Sequence, residues 1–289
     1  MRPLLTLSCL LALGGCAVII APGADGGDDV RVHSVFGSTG VAGDGHVISE
    51  SRSVEGVAAI DTSGSMQVEV RVGAAPSLTV SADSNLLPMI RTEVVGGTLR
   101  ITTTGSFHTN NPIRVVYTTP QLTQVQASGS GRLMVSGLNG GPLNVSKSGS
   151  GATELVGRVG TFDVSSSGSG AINASGLQSG NVNVNISGSG RVNMGAVQAD
   201  SMTVSMHSSG GLQASGAVQM LNARVSGSGS ANLTGLASQR ADLIASGSGG
   251  ISASVKQVLV AQGSGSGSIT IYGNPSQSNI SGKHVQVIN

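Results

Sequence analysis

From Ser128 onward the tetrapeptide S-G-S-G returns at nearly fixed intervals. Its last glycine falls at Gly131, Gly151, Gly170, Gly190, Gly210, Gly229, Gly249 and Gly267, with His207-Ser208-Ser209-Gly210 as a degenerate copy. The seven spacings run from 18 to 20 residues, with a mean of about 19.4. Self-similarity near that length means stacked repeats, each too small to bury its own apolar face. A Gly plus Ser share of about a third, 45 of each in 289 residues, would otherwise read as a linker. The period excludes that reading.

Alignment on the marker glycine separates inward from outward positions. Six residues before it stand Val125, Val145, Val164, Val184, Val204, Ala223, Leu243 and Ala261. Eight before it stand Thr123, Leu143, Phe162, Val182, Met202, Leu221, Ala241 and Leu259; two after it stand Leu133, Thr153, Ile172, Val192, Leu212, Ala231, Ile251 and Ile269. The columns between are polar: Gln124, Asn144, Asp163, Asn183, Thr203, Asn222 and Asp242 on one side, and Glu154, Asn173, Asn193, Gln213, Asn232, Ser252 and Thr270 on the other. Strict alternation is the period of a half-buried strand, and no column carries a helical period.

Turns of this length, each with short strands separated by glycine, predict an all-β chain folded as a parallel β-helix of about 19 to 20 residues per rung. Eight rungs spaced by about 4.8 Å give a rod about 35 to 40 Å long. Alternation carried through S-G-S-G puts the glycines inside and the serines outside, where glycine would turn a tight corner without filling a narrow lumen. A second column, Gly137, Gly157, Gly176, Gly216, Gly235 and Gly273, predicts another corner. Lys147 interrupts a mostly apolar column and is expected to snorkel outward.

The amino-terminal sixteen residues read as a lipoprotein signal: Arg2, an apolar stretch from Leu4 to Leu13, and Leu13-Gly14-Gly15-Cys16, which resembles a lipobox. Leu4 to Ile20 is short for a membrane span and is broken by Gly14-Gly15. Cleavage before Cys16 would remove Cys9 and leave Cys16 acylated, with no thiol for a disulfide, a metal or catalysis. Ala17 after the lipidated cysteine resembles the outer-membrane sorting pattern of Gram-negative lipoproteins. The expected organisation is therefore a signal peptide at 1–15, the lipidated cysteine and flexible tether at 16–48, and a β-helix domain at 49–289. Within it, 49–127 are less regular rungs, 128–270 the S-G-S-G repeats and 271–289 a carboxy-terminal cap. Asp25, Asp28 and Asp29 in the tether lack the spacing of a calcium loop.

Before the repeats, Met66–Val72, Leu78–Val80, Thr98–Ile101 and Ile113–Tyr117 alternate apolar and polar residues between Gly, Pro and Asn turns. Here Glu50-Ser51-Arg52-Ser53-Val54, Ile60, Val68-Glu69-Val70, Val80-Ser81-Ala82-Asp83-Ser84-Asn85-Leu86-Leu87, Thr92-Glu93-Val94, Leu99-Arg100-Ile101 and Thr119-Pro120-Gln121-Leu122, running into Ala127-Ser128-Gly129-Ser130-Gly131, resemble the auto-transporter adhesin head GIN domain family, DUF2807. The resemblance spans about residues 49 to 270. Val57 departs from it, standing where the family usually has Phe. The resemblance implies a right-handed β-helix similar to pectate lyases but without their catalytic residues, and an adhesive role.

Because β-helices often process polysaccharides, catalysis must be tested on the residues. From 128 onward the carboxylates are Glu154, Asp163, Asp200 and Asp242. Glycoside hydrolysis needs two carboxyls about 5 to 10 Å apart, whereas Asp163 and Asp242 share a column about 19 Å apart. The histidines, His33, His46, His108, His207 and His284, are scattered, and no serine has a visible activating base. A net charge of +1, with Arg132 and Arg191 sharing one column three rungs apart, gives no nucleic-acid stripe. The sequence thus names Cys16 as a lipidation site and offers no catalytic residue, metal-ligand set or cofactor motif. It is expected to be a non-catalytic envelope module, held at the membrane by a lipid anchor and touching glycans or cell-surface components through Ser, Asn, Thr and Gln ladders. The alternative is a polysaccharide lyase or hydrolase; ice binding would want flat threonine rows, and the exposed columns are mixed.

Overall fold

The computed structural model describes residues 40–288 and, ahead of them, an antiparallel pairing of Val18–Ile19 with His33–Ser34. From Arg132 the chain is a β-solenoid of parallel stacked coils. Ala152–Ser166, Ala171–Ile186, Arg191–Met206, Gly211–Val225, Ser230–Ala245 and Gly250–Gly263 each pair in parallel with the next. Register shifts and glycines divide each coil into three short segments. In the first full coil the paired runs are 152–154, 156–159 and 161–166.

The ladder runs in the register that the repeat alignment implies. Asn144 pairs with Asp163, Asp163 with Asn183, Asn183 with Thr203, Thr203 with Asn222 and Asn222 with Asp242. Identical columns therefore lie one above another. All the residues of the three expected inward columns are buried except Thr123, which is half-buried. Each Val or Leu so placed contributes about 1.5–3 kcal/mol. A further inward stripe, including Val159, Leu177, Val197, Val218, Leu236 and Val255, lines the short middle segment. The lumen is narrow, and Tyr117 and Phe162 are the two aromatics fully buried in it among the described residues.

The marker glycines stack one above another, but the expected second glycine column does not form: Gly157 pairs with Leu177 and Gly176 with Val156, and Gly216 pairs with Leu236 and Gly235 with Ser215, because the register shifts at that corner. Marker glycines from Gly151 to Gly267 are buried, and the serines before them are exposed. Yet none of these markers has a positive φ, whereas Gly137, Gly157, Gly216 and Gly273 do. At the markers, a Cβ would overlap the carbonyl oxygen of the glycine one rung below, as at Gly190 over Gly170. Close rung-to-rung approach, more than turn geometry, thus selects glycine there. At Gly157 and Gly216 both a positive φ and overlap with the Leu138 and Val197 carbonyls one rung below require glycine.

The amino-terminal end is built differently. Arg114–Thr119 and Arg132–Asn139 sit in parallel on either side of Gln67–Val72, while Ser77–Asp83 pairs antiparallel with both Arg114–Thr119 and Val47–Arg52. On the other face Ile90–Val95 pairs antiparallel with Thr98–Thr103. A 3₁₀ turn, Leu87–Met89, closes this end with Leu86, Leu87 and Ile90 buried. Arg52 pins it by donating to the Ile90 carbonyl at 2.6 Å and the Leu87 carbonyl at 3.1 Å. Buried Asp83 accepts from Thr109 Oγ1 at 2.5 Å and from Asn111 Nδ2 at 2.7 Å. Tyr117 Oη accepts from the Val57 amide and donates to the Val57 carbonyl, both at 3.0 Å, so Val57 is held through its backbone. At the other end Gln277–Gly282 and Val285–Ile288 pair in parallel with the preceding coils and form the last rung.

One expectation is corrected. Lys147 does not snorkel: it points into the lumen and is 3% exposed. Its column is inward on every rung, and Ser166 follows it as a second buried polar group. The missing side chains of the marker glycines leave room for its stem.

Candidate functional site

The outward faces carry the polar groups. The column through Asp163 presents amides, hydroxyls and carboxylates one rung apart, and Asn183 Nδ2 donates to Asp163 Oδ1 at 2.7 Å between rungs. On a second face Glu154, Asn173, Asn193, Gln213, Asn232 and Ser252 are in register. At the corner after the middle segment Gly160, Gly180, Asp200, Gln219 and Gln239 lie along one groove. An open groove of about 420 Å³ runs there, with Gln198, Asp200, Gln219 and Gln239 on its walls. These ladders form because the strands' period of two sends alternate residues to solvent and the parallel register repeats them.

The four repeat-region carboxylates are not brought together. Glu154 lies on one face, Asp163 and Asp242 on another four rungs apart, and Asp200 at a corner. The amino-terminal half adds Glu69, two rungs from Glu154 in the same outward column with Met134 between, about 10 Å away along it. Arg71 Nε holds Glu69 at 2.7 Å. Asp61 faces Arg100 at 3.8 Å, and Glu50 faces Arg52 at 3.1 Å. Among the described residues no group of three or more His, Cys, Asp or Glu could hold a metal ion. No helix among them is long and apolar enough to cross a membrane. Cys16, the expected lipidation site, lies outside the described residues.

His207 is more engaged than its scattered position in the sequence suggests. Its Nε2 meets Ser205 Oγ at 2.9 Å and its Nδ1 meets Ser226 Oγ at 2.6 Å, while Ser226 Oγ also donates to the Met206 carbonyl at 3.3 Å. A serine therefore does contact a histidine, contrary to the expectation from sequence. The ring is exposed, no carboxylate orients it, and the contacts tie one rung to the next.

Two features were only partly legible in the sequence. Burial pushes the Lys147 amine below the usual lysine range. No carboxylate among the described residues pairs with it, and the hydroxyls of buried Thr153 and Ser166 have no partner. A cavity of about 20 Å³ beside Lys147 and Thr153 is large enough for one water. The second feature is an arginine column. Arg114 and Arg132 both pair with Gln67, from opposite sides, and Arg132 leads through Ala152 and Ala171 to Arg191. Arg114 precedes the repeats, so no sequence period could align it with the other two.

A parallel solenoid with in-register polar faces and separated carboxylates defines a class of repeat scaffold that offers surface in place of an enclosed pocket. The profile of the family described as "Putative auto-transporter adhesin, head GIN domain", DUF2807, matches residues 58–198 and 177–275, and the chain belongs to that family. The resemblance read from residues 49 to 270 is thereby borne out. No curated protein matches the chain. Among solved structures, one from Parabacteroides distasonis described as a putative lipid binding protein is 25% identical with a TM-score of 0.66, over 86% of this chain and 99% of that one. A second from the same organism, described as a putative adhesin, is 22% identical with a TM-score of 0.66 over the same shares. A putative adhesin from Parabacteroides merdae is 21% identical, with a TM-score of 0.69, again over 86% and 99%. The family places the chain among adhesin-like proteins.

Proposed function

We propose that the chain is a lipid-anchored, non-catalytic binding module of the cell envelope, tethered through Cys16 to the outer membrane of a Gram-negative cell and contacting glycans or other surface components. The observation that carries this reading is the rung-to-rung repetition of outward amides and hydroxyls, such as Asn144, Asp163, Asn183, Thr203 and Asn222. Such ladders present similar weak donors and acceptors about 4.8 Å apart, which suits adhesion through many weak interactions made at once. The adhesin-like family supports it. So does the scatter of Glu154, Asp163, Asp200 and Asp242, which leaves no enclosed acid and base pair in the repeats.

Two measurements test the reading. The full chain coupled densely to beads should be retained on immobilised glycans far better than the free chain, because avidity multiplies weak binding. Equal, negligible retention of both forms would count against a binding role. For the anchor, labelled fatty acid should enter the wild-type chain and not the Cys16→Ser variant, which should leave the membrane fraction. Labelling that survives the substitution would refute anchoring at Cys16.

A further inference from the structure

The arginine column marks one edge of the solenoid as chemically distinct. Arg114, Arg132 and Arg191 are exposed and point outward from one column, two and then three rungs apart. At about 4.8 Å per rung they stand about 10 and 14 Å apart, in a line about 24 Å long. Among the described residues none of them forms an ion pair; the ion pairs there belong to Arg52, Arg71 and Arg100. In a chain whose net charge is +1, three unpaired guanidinium groups on one line are a local feature, not a reflection of bulk charge.

The surface around them is grooved. An open groove of about 250 Å³ lies between Arg114 and Arg132, floored by Gln67 with Met134 beside it. Another of about 370 Å³ passes Arg191 along the S-G-S-G corner, where Ser169, Ser189 and Ser209 form the wall and the marker glycines the floor. The acids nearest the line are on the next outward column, Glu69, already tied to Arg71, and Glu154. The edge therefore combines guanidinium forks with the Gln67 amide at one end and serine hydroxyls over a glycine floor at the other.

We infer that this edge binds an extended acidic polysaccharide, with Arg114, Arg132 and Arg191 each taking a carboxylate and the serine wall taking sugar hydroxyls. Guanidinium matches a carboxylate with two parallel hydrogen bonds, and cations set whole numbers of rungs apart along a rod suit a linear polymer carrying acids at short intervals. A single-stranded nucleic acid would want stacking aromatics beside the cations, and the described surface there has none. This inference rests on the glycan-binding reading above and narrows it to one edge and one ligand class.

The test uses the full chain and its R114Q/R132Q/R191Q variant, with polygalacturonate as the acidic probe and dextran as the neutral one. Unchanged thermal unfolding of the variant establishes that the exposed substitutions leave the fold intact. The wild type should bind polygalacturonate at least about tenfold more tightly than dextran, and the variant should lose that preference. Raising the salt concentration should weaken only the acidic interaction. Equal binding of polygalacturonate by variant and wild type would overturn the inference, as would equal binding to dextran, to duplex DNA or to anionic lipid vesicles. If both forms bind dextran alike, this edge is refuted while the broader glycan reading survives. If neither polysaccharide binds in any format, both fail.

Discussion

The stem of Lys147 runs beneath Gly170: a Cβ on that glycine would stand 2.7 Å from the Lys147 Cε. The glycine column therefore leaves room for a lysine inside a lumen filled mostly by apolar side chains. An amine held there without a carboxylate loses hydration and gains no ion pair, which is why its pKa is pulled down.

Replacing Lys147 with Met should stabilise the protein by about 1–3 kcal/mol at pH 7, since the thioether fills the same space without a charge. Because the folded amine titrates below its unfolded value, the unfolded state binds more protons between the two. The cost of the buried charge is then full at pH values below the folded pKa and fades as the pH rises toward about 10.4. Denaturant unfolding of wild type and K147M should show the gap closing as the pH rises through the alkaline range toward about 10.4. A gap that does not change with pH would mean that packing, not charge, sets it.

Gly190→Ala should cost about 2–4 kcal/mol, because its Cβ would overlap the Gly170 carbonyl, a backbone atom that cannot swing away. Gly211→Ala should lie within about 0.5 kcal/mol of wild type, since the nearest atom to its Cβ is Arg191 Nε at 3.8 Å. Thermal unfolding of the two variants compares a marker position with an open one on the neighbouring coil. Similar losses at both would contradict the rung-to-rung explanation.

Arg52→Gln should loosen the closed end and leave the repeats alone. Its guanidinium holds the Ile90 and Leu87 carbonyls and meets Thr92 Oγ1 at 3.1 Å, interactions worth about 1.5–3 kcal/mol for a charged donor. Hydrogen exchange should quicken in Ile90–Val95 and stay unchanged in Gly211–Val225, since solenoid coils couple chiefly to their neighbours. Uniform acceleration along the chain would show instead that the turn stabilises the whole rod.

Much of this fold is legible before any coordinates, and the boundary of that legibility has a physical cause. The residues two after, six before and eight before each marker glycine repeat with a period that register preserves, so the columns of Ile172 and Val184 can be read as stripes of core. The middle segment of each coil is shorter and its register shifts, as between Glu154 and Val156, so its inward stripe is not aligned by the marker. Lys147 is readable as an anomaly but not as buried, because its fate depends on the space left by Gly151 and Gly170 one column away. Arg114 reaches the arginine column through a strand that packs beneath Gln67–Val72 although it follows it in sequence, a non-local pairing with no period to betray it. The serine partners of His207 likewise depend on Ser226 one rung later.

The claim that the solenoid binds and does not cut is tested most directly by incubating the full chain with a panel of neutral and acidic polysaccharides and measuring, in one experiment, retention of the protein and release of reducing or unsaturated ends. Retention on at least one polysaccharide with no product above the protein-free control is the predicted result. Time-dependent product that disappears on substitution of Glu69, Glu154, Asp163, Asp200 or Asp242 would contradict it.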